Sequence, residues 1–424
     1  MSDTTTSAST PLLSAAGTVR LAGAGLFLIA VCYGLARFAY GLFVPVFRTT
    51  FGIEAALAGA IASGAYAAYA VTIVCASLLT PRWGARRIAI IAGAVATGGT
   101  ALIATAQGPA TLALGVIIAG SSTGIASPPL AHAVAQSVAE PLRNRAQTVI
   151  NAGTGAGVMI AGPIALLTLD HWRLAWVIFA LLCAAATTAA ALTIPAPDGT
   201  RHGGARSPLV PRPTFPPGAL RLLTAAALMG ASSSAIWTFG RDLLVSVGGM
   251  SDHASTVLWI LLGAFGLVGA VAGDLAQRWG VRRAWPGVAL SMAAATVLLA
   301  LAPGSPGLAG VAAAVFGAAY VAVTGLLLLW GAEVYRHHPA AGVGMAFLLL
   351  AVGQAVMSPL VGLIADQISA LVAFSAAAAI GCLGSAFGPA RHGRAHAHSS
   401  TGSPCPASSA STPRVNSSEG SQGN

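Results

Sequence analysis

The stretch YGLARFAYG, residues 33–41, sets one cation among phenols and glycines inside a long apolar run. Tyr33, Arg37, Tyr40 and Gly41 recur at i, i+4, i+7 and i+8, the spacing that puts all four on one side of an α-helix. Arg37 lies ten residues before Phe47, about 15 Å along a helix, and about 25 Å past Arg20. Both ends are far for a guanidinium to snorkel out of an apolar layer. A central Arg costs roughly 2.5–3.5 kcal/mol on insertion scales, which makes it a functional candidate by default. The structural alternative is an Arg satisfied by carbonyls of a neighbouring helix. A guanidinium beside phenols offers charge and donors to an anionic or polarised organic solute.

Apolar spans must carry these residues. The chain has 424 residues, 56% hydrophobic and only 8% charged, with a mean hydropathy of +0.78. Soluble domains carry roughly 25% charged residues. Runs long enough to cross a bilayer fall at 21–47, 56–79, 87–107, 110–135, 147–169, 173–195, 217–246, 254–276, 284–303, 307–332, 341–364 and 370–389. There is no lysine, so all 21 basic residues are arginine. With both termini cytoplasmic, seventeen of them fall in cytoplasmic segments; only Arg37, Arg48, Arg173 and Arg241 fall elsewhere. This is the positive-inside pattern of a multi-pass plasma-membrane protein. The net charge of +10 therefore reads as topology, and no nucleic-acid partner is expected.

PRWGARR at 81–87 returns as QRWGVRR at 277–283, 196 residues later. The same offset pairs Gly34 with Gly230, Gly52 with Gly248, Gly157 with Gly353, Pro163 with Pro359 and Asp170 with Asp366. The chain reads as a duplicated six-helix unit: a bundle over 20–195, a Pro-, Gly- and Arg-rich cytoplasmic linker over 196–216 and a second bundle over 217–390. Disordered segments at 1–19 and 391–424 flank them. The offset carries Arg37 onto Ser233, within SSS at 232–234, and Gly41 onto Trp237. A cation on one wall would then face hydroxyls and an indole on the other. Tyr66 and Tyr69 on the second span, and Tyr320 and Thr324 on the tenth, add rings and hydroxyls, with helix packing as the alternative for each.

RWGxRR, between spans 2 and 3 and again between spans 8 and 9, resembles the loop signature GxLaDRxGRR of the major facilitator superfamily. GTGAGVMIAGPIAL at 153–166 resembles the Gly-rich, Gly-Pro motif of its exporters, and the first span resembles that of a bacterial permease subgroup. The resemblance covers roughly residues 20–390. It implies an all-α fold of twelve transmembrane helices in two pseudo-symmetric six-helix bundles, with a solute site near the midplane lined by spans 1, 4, 7 and 10. It also implies gating roles for Arg82, Gly84, Arg86 and Arg87 in the first loop and for Asp274, Arg278, Gly280 and Arg282 in the second. Gly157, Gly162, Pro163 and Pro359 would allow close helix approach or bend helices 5 and 11 during rocking. Three departures stand out. Pro81 and Gln277 replace the loop Asp, Gly120 stands where exporters have an Arg, and Gly157 lies five residues before Gly162.

Coupling groups are scarce, since none of the 11 acidic residues falls squarely at a midplane. His132 and Asp242 are the coupling candidates, with a satisfied interfacial His as the alternative for the first and a uniporter left open. An enzyme is excluded by the absence of HExxH, of paired intramembrane carboxylates and of a phosphate loop ending in Lys. The five cysteines form no CxxC, and the tail histidines His392, His396 and His398 read as solvated, so neither disulfide, metal nor cofactor is expected. The expected protein is a monomeric secondary transporter moving a small-molecule substrate across the lipid bilayer. Proton-coupled efflux of a drug-like compound or secondary metabolite comes first. Uptake or facilitated transport of a small anionic metabolite is the alternative, and a transport-inactive membrane sensor or scaffold the alternative of another class.

Overall fold

In lipid, a backbone must satisfy its own polar groups, so long apolar runs fold as helices. The computed structural model describes residues 12–168, 171–196, 215–269, 279–336 and 338–390. Among them are twelve helices: α1 Ala15–Phe51, α2 Ala55–Trp83, α3 Ala85–Ala104, α4 Pro109–Ser137, α5 Glu140–Leu167 and α6 Trp172–Thr193, then α7 Ala219–Ser246, α8 Asp252–Gly269, α9 Val281–Leu301, α10 Pro306–Val334, α11 Pro339–Gln367 and α12 Ala370–Ala386. Eleven are long and apolar enough to cross a membrane, and α12 is a shorter apolar helix. The protein is an all-α, multi-pass membrane protein of two pseudo-symmetric six-helix bundles. Several helices outrun the expected spans. α1 starts at Ala15, where the Ser14 hydroxyl accepts from the Gly17 N–H at 3.2 Å, and α5 starts at Glu140, so it carries Arg143 and Arg145. Asp170, Asp274, Arg278, most of the linker and the tail histidines lie outside the described residues.

Over their described residues, the heptapeptides are corners and not loops. Pro81, Arg82 and Trp83 close the last turn of α2, and Ala85 opens α3. The single residue between them, Gly84, turns the chain at φ 85°, ψ 150°; Gly280 does the same before α9 at φ 75°, ψ 149°. Side-chain-bearing residues are strained there, which is why both copies keep a glycine. The duplication is thus visible in backbone geometry. The pair Gly52 and Gly248 fails this test: the left-handed residues are Gly52 and Gly249, one place later, while Gly248 packs on the Pro303 carbonyl.

Small residues set the helix crossings. A β-carbon on Gly34 of α1 would collide with the Gly157 backbone of α5, and one on Gly230 of α7 with the Leu350 carbonyl of α11. Gly157 and Gly353 sit equally tightly on the carbonyls of Ala30 and Ala227. These are equivalent crossings within the two bundles, close-packed as small-residue motifs allow. Between the bundles, α1 meets α7, α2 meets α11 and α5 meets α8. Gly41 abuts the Trp237 carbonyl, Gly59 lies against Ser358 and Pro359, and Gly162 abuts Ile260. Gly162 and Pro359 therefore serve the contact between bundles. Pro163 follows directly inside α5.

Candidate functional site

α1 changes its winding where it carries the central cation. Ala30–Phe38 is π-helical, with a wider turn than the α-helix on either side. The register after it is displaced, and this overturns the expected shared face. Tyr33 and Arg37 remain neighbours, the Arg37 Cζ lying 5.9 Å from the ring centre. Tyr40 instead donates to the Ala58 carbonyl at 2.9 Å and stacks on Phe47 at 5.9 Å, while Gly41 turns to α7. Tyr40 is a packing residue.

Arg37 is 5% exposed and stands among aromatic rings. Its Cζ lies 4.4 Å from the centre of Tyr69, 4.8 Å from Phe38 and 4.9 Å from Tyr66, all within cation–π range. Its Nη2 donates to the Gln354 Oε1 of α11. Gln354 in turn donates from Nε2 to the Ser233 hydroxyl of α7 at 3.3 Å, and Ser233 donates to the Gly230 carbonyl at 2.9 Å. A polar chain thus runs from α1 of one bundle into α11 and α7 of the other. A second chain lies beside it: the Tyr66 hydroxyl is 3.3 Å from Thr238 Oγ1, which is 3.1 Å from Ser358 Oγ. Tyr33 reaches α4, its hydroxyl 2.8 Å from Ser127 Oγ. Among the described residues, no carboxylate lies within ion-pair distance of Arg37.

The remaining expected wall residues divide. Trp237 stacks on Phe38 at 3.9 Å and meets Tyr320 edge-on at 5.0 Å, so both stand behind the ring cage. Thr324, one turn further along α10, returns its hydroxyl to the Val321 carbonyl at 2.8 Å and joins neither chain. His132 lies five residues past Ser127 on α4, about 7.5 Å towards the heptapeptide end, and the structure does not bring it to Arg37. Sequence reasoning missed Phe38, Gln354, Ser358, Thr238 and Ser127. Gln354 did leave a signal, as the lone amide in the apolar run 341–364.

Charge gathers at the end opposite the heptapeptides. Arg48, near the end of α1, pairs with Asp242 of α7 and lies 4.0 Å from Asp366 of α11. Asp366 also accepts from the N–H groups of Ala55 and Ala56 at 3.2 and 2.7 Å, so it caps α2 across the bundle boundary. Arg241 turns away from its neighbour Asp242. It pairs with Asp252 and donates to the Leu42 carbonyl at 2.7 Å and to the Ser255 hydroxyl at 3.1 Å. Five helices, α1, α2, α7, α8 and α11, are latched here. At the heptapeptide end, Arg82, Arg86, Arg87 and Arg282 make no ion pair among the described residues. Asp242 therefore belongs to the ion-pair latch at the end opposite the heptapeptides.

Comparison with known proteins agrees with this architecture. A family model for the Major Facilitator Superfamily matches residues 26–349. A chloramphenicol efflux pump of Mycobacterium tuberculosis is 29% identical over 292 residues, covering 66% of this chain and 67% of that protein. Among solved structures, a point mutant of the nucleoside transporter NupG superposes with a TM-score of 0.70 at 15% identity, over 87% of this chain and 98% of that one. A bacterial homologue of the human lysosomal transporter Spinster, inward-facing and unoccupied, gives 0.69 at 18% identity over 88% and 95%. At these identities the two structures speak for the fold alone.

Proposed function

Because the chain belongs to the Major Facilitator Superfamily, we propose that it exports a small organic compound across the plasma membrane, coupled to protons, by rocking residues 20–195 against 217–390. One observation carries this reading. Arg37, in a cage of rings on the first bundle, is bridged through Gln354 to the second. A solute that engages Arg37 exchanges a contact between the bundles for a contact with itself, and such differential binding is what shifts a two-state equilibrium. The Gly-Pro segment of α5 and the likeness to a pump named for chloramphenicol efflux support export. The latch of Arg48, Asp242 and Asp366 closes the outer end in the conformation described, and Asp242 is the proton-coupling group that leaves Arg48 as that end opens.

A second reading, uptake of a small anionic metabolite, is favoured by the absence of a carboxylate near Arg37 among the described residues. Cellular accumulation of a panel of drugs and organic acids separates the two. Cells expressing wild type are compared with cells expressing Arg37→Ala, each with and without a protonophore. Lower accumulation of a compound in wild type, erased by both treatments, is the expected outcome. Higher accumulation reverses the direction, and wild-type flux in Arg37→Ala removes Arg37 from the mechanism. A protein that inserts and folds but moves nothing in purified vesicles is a sensor or scaffold.

A further inference from the structure

Arginine makes its most directional contact through the edge carrying Nε and Nη2, whose two parallel donors match the two oxygens of a carboxylate. On Arg37 that edge is half used. Nη2 donates to the Gln354 Oε1, while Nε is buried and finds no partner among the described residues. The side chain is almost wholly enclosed, and no described carboxylate balances its charge. Ring quadrupoles of Tyr33, Phe38, Tyr66 and Tyr69 soften the cost of that charge without neutralising it. A buried cation with an unpaired donor is expensive unless something supplies the missing oxygens. Gln354 supplies one. It is a neutral amide with a single acceptor, placed on an edge built for two.

The ion-paired cluster at the end opposite the heptapeptides offers no such opening. Arg48 and Arg241 each meet a carboxylate, and Asp366 is filled by two backbone N–H groups and Arg48. Among the described residues Arg37 and Arg241 are the two buried arginines, and of these only Arg37 meets no carboxylate.

Resting on the transport reading above, we propose that the solute carries a carboxylate or an equivalent planar oxyanion, and that Gln354 holds the place of that group on the Nε–Nη2 edge of Arg37. When the solute binds, one of its oxygens takes Nη2 over from Gln354 and the other takes Nε. No covalent bond forms and no proton moves. Gln354 is released towards Ser233, its partner within the second bundle, and the central bridge between bundles is lost as the cation gains its anion. The Tyr33, Tyr66 and Tyr69 rings beside the guanidinium suit a flat, unsaturated body behind the oxyanion. The exchange also explains why the bridging residue is an amide. A glutamate there would neutralise Arg37 permanently and shut the solute out.

The test uses the purified full-length protein in detergent and reads its melting temperature. Benzoate, salicylate and indole-3-acetate at millimolar concentration are compared with benzamide, salicylamide and indole-3-acetamide, the same rings without the charge. The carboxylates should raise the melting temperature of wild type and the amides should not. Gln354→Glu should melt higher than wild type without additive and bind the effective carboxylate at least about tenfold more weakly. Gln354→Leu removes the competitor and should bind it at least as well as wild type, which guards against a variant that merely misfolds. Equal shifts from acids and amides, no shift from any of the acids, or undiminished binding in a folded Gln354→Glu overturns the proposal. Flux in vesicles is read separately. Carboxylate binding without flux overturns the transport reading and leaves this site standing. Flux of the neutral amides matching that of the acids overturns the site and leaves transport standing.

Discussion

Replacing Arg48 by Ala should open the end of the protein that the ion pairs hold shut. In the closed arrangement Arg48 serves two carboxylates from the other bundle, Asp242 and Asp366. Asp366 keeps two backbone N–H donors when Arg48 is removed, but Asp242 is left without its partner. The Asp242 side chain is 9% exposed and that of Arg48 27%. Removing one partner of a fully buried pair costs about 3–5 kcal/mol, and a fully exposed pair is worth about 0–1. A quarter-exposed arginine over a buried aspartate falls between, at about 1–3 kcal/mol. That penalty acts on the closed form alone, since separation of the helix ends lets both carboxylates hydrate. The equilibrium between closed and open forms of this end should shift by roughly 5- to 150-fold towards open.

Distances between spin labels at Thr50, beside the end of α1, and Ser251, before α8, report that equilibrium directly in a background freed of native cysteines. The long-distance population should grow in Arg48→Ala and shrink again when Arg48→Asp is combined with Asp242→Arg. An unchanged distance distribution in Arg48→Ala would mean that helix packing closes this end and the ion pairs only decorate it.

The packing assignments are open to equally direct tests. Gly157→Ala places a β-carbon against the Ala30 carbonyl and should cost roughly 1–3 kcal/mol through forced separation of α1 and α5, whereas Gly23, with open space around it, should accept Ala without a change in melting temperature. Equal melting of the two variants would remove the close crossing from the stability account. Tyr40→Phe gives up one hydrogen bond to the Ala58 carbonyl, worth about 0.5–1.5 kcal/mol, and should keep full flux. Loss of flux in a stable Tyr40→Phe would return Tyr40 to the solute site.

The helices were legible because their signals are local. A run of apolar residues and a set of arginines on alternate connections are visible within a few turns of chain, and the RWGxRR corners repeat with their glycine in place. The latch and the bridge were not legible, because their partners lie far apart in sequence. Arg48 and Asp242 are 194 residues apart, and Arg37 and Gln354 are 317 apart. Arg48 and Arg241 were visible only as exceptions to the charge asymmetry, with nothing to say which carboxylate each would choose. Tyr40 went astray for a different reason. A π-helical segment displaces everything after it, and no periodicity of side chains distinguishes that segment from an ordinary helix that happens to carry the same residues.

Where the two copies agree and where they differ divides packing from chemistry. The matched positions are structural: Gly34 with Gly230 and Gly157 with Gly353 make the same crossings, and Gly84 with Gly280 the same corner. The central site is built where the match fails. Arg37 falls opposite Ser233, Gln354 opposite Val158, Tyr66 opposite Leu262, Thr238 opposite Leu42 and Ser358 opposite Gly162. Two of the latch residues follow the same rule, with Arg48 opposite Leu244 and Asp242 opposite Val46, whereas Asp366 falls opposite the matching Asp170. Two identical bundles could rock, but a site between them would present the same groups from both walls. A cation on one wall and an amide on the other can hold each other in one state and exchange partners in the next. The duplication supplies a repeated frame, and its erosion at these few positions leaves the two walls chemically different.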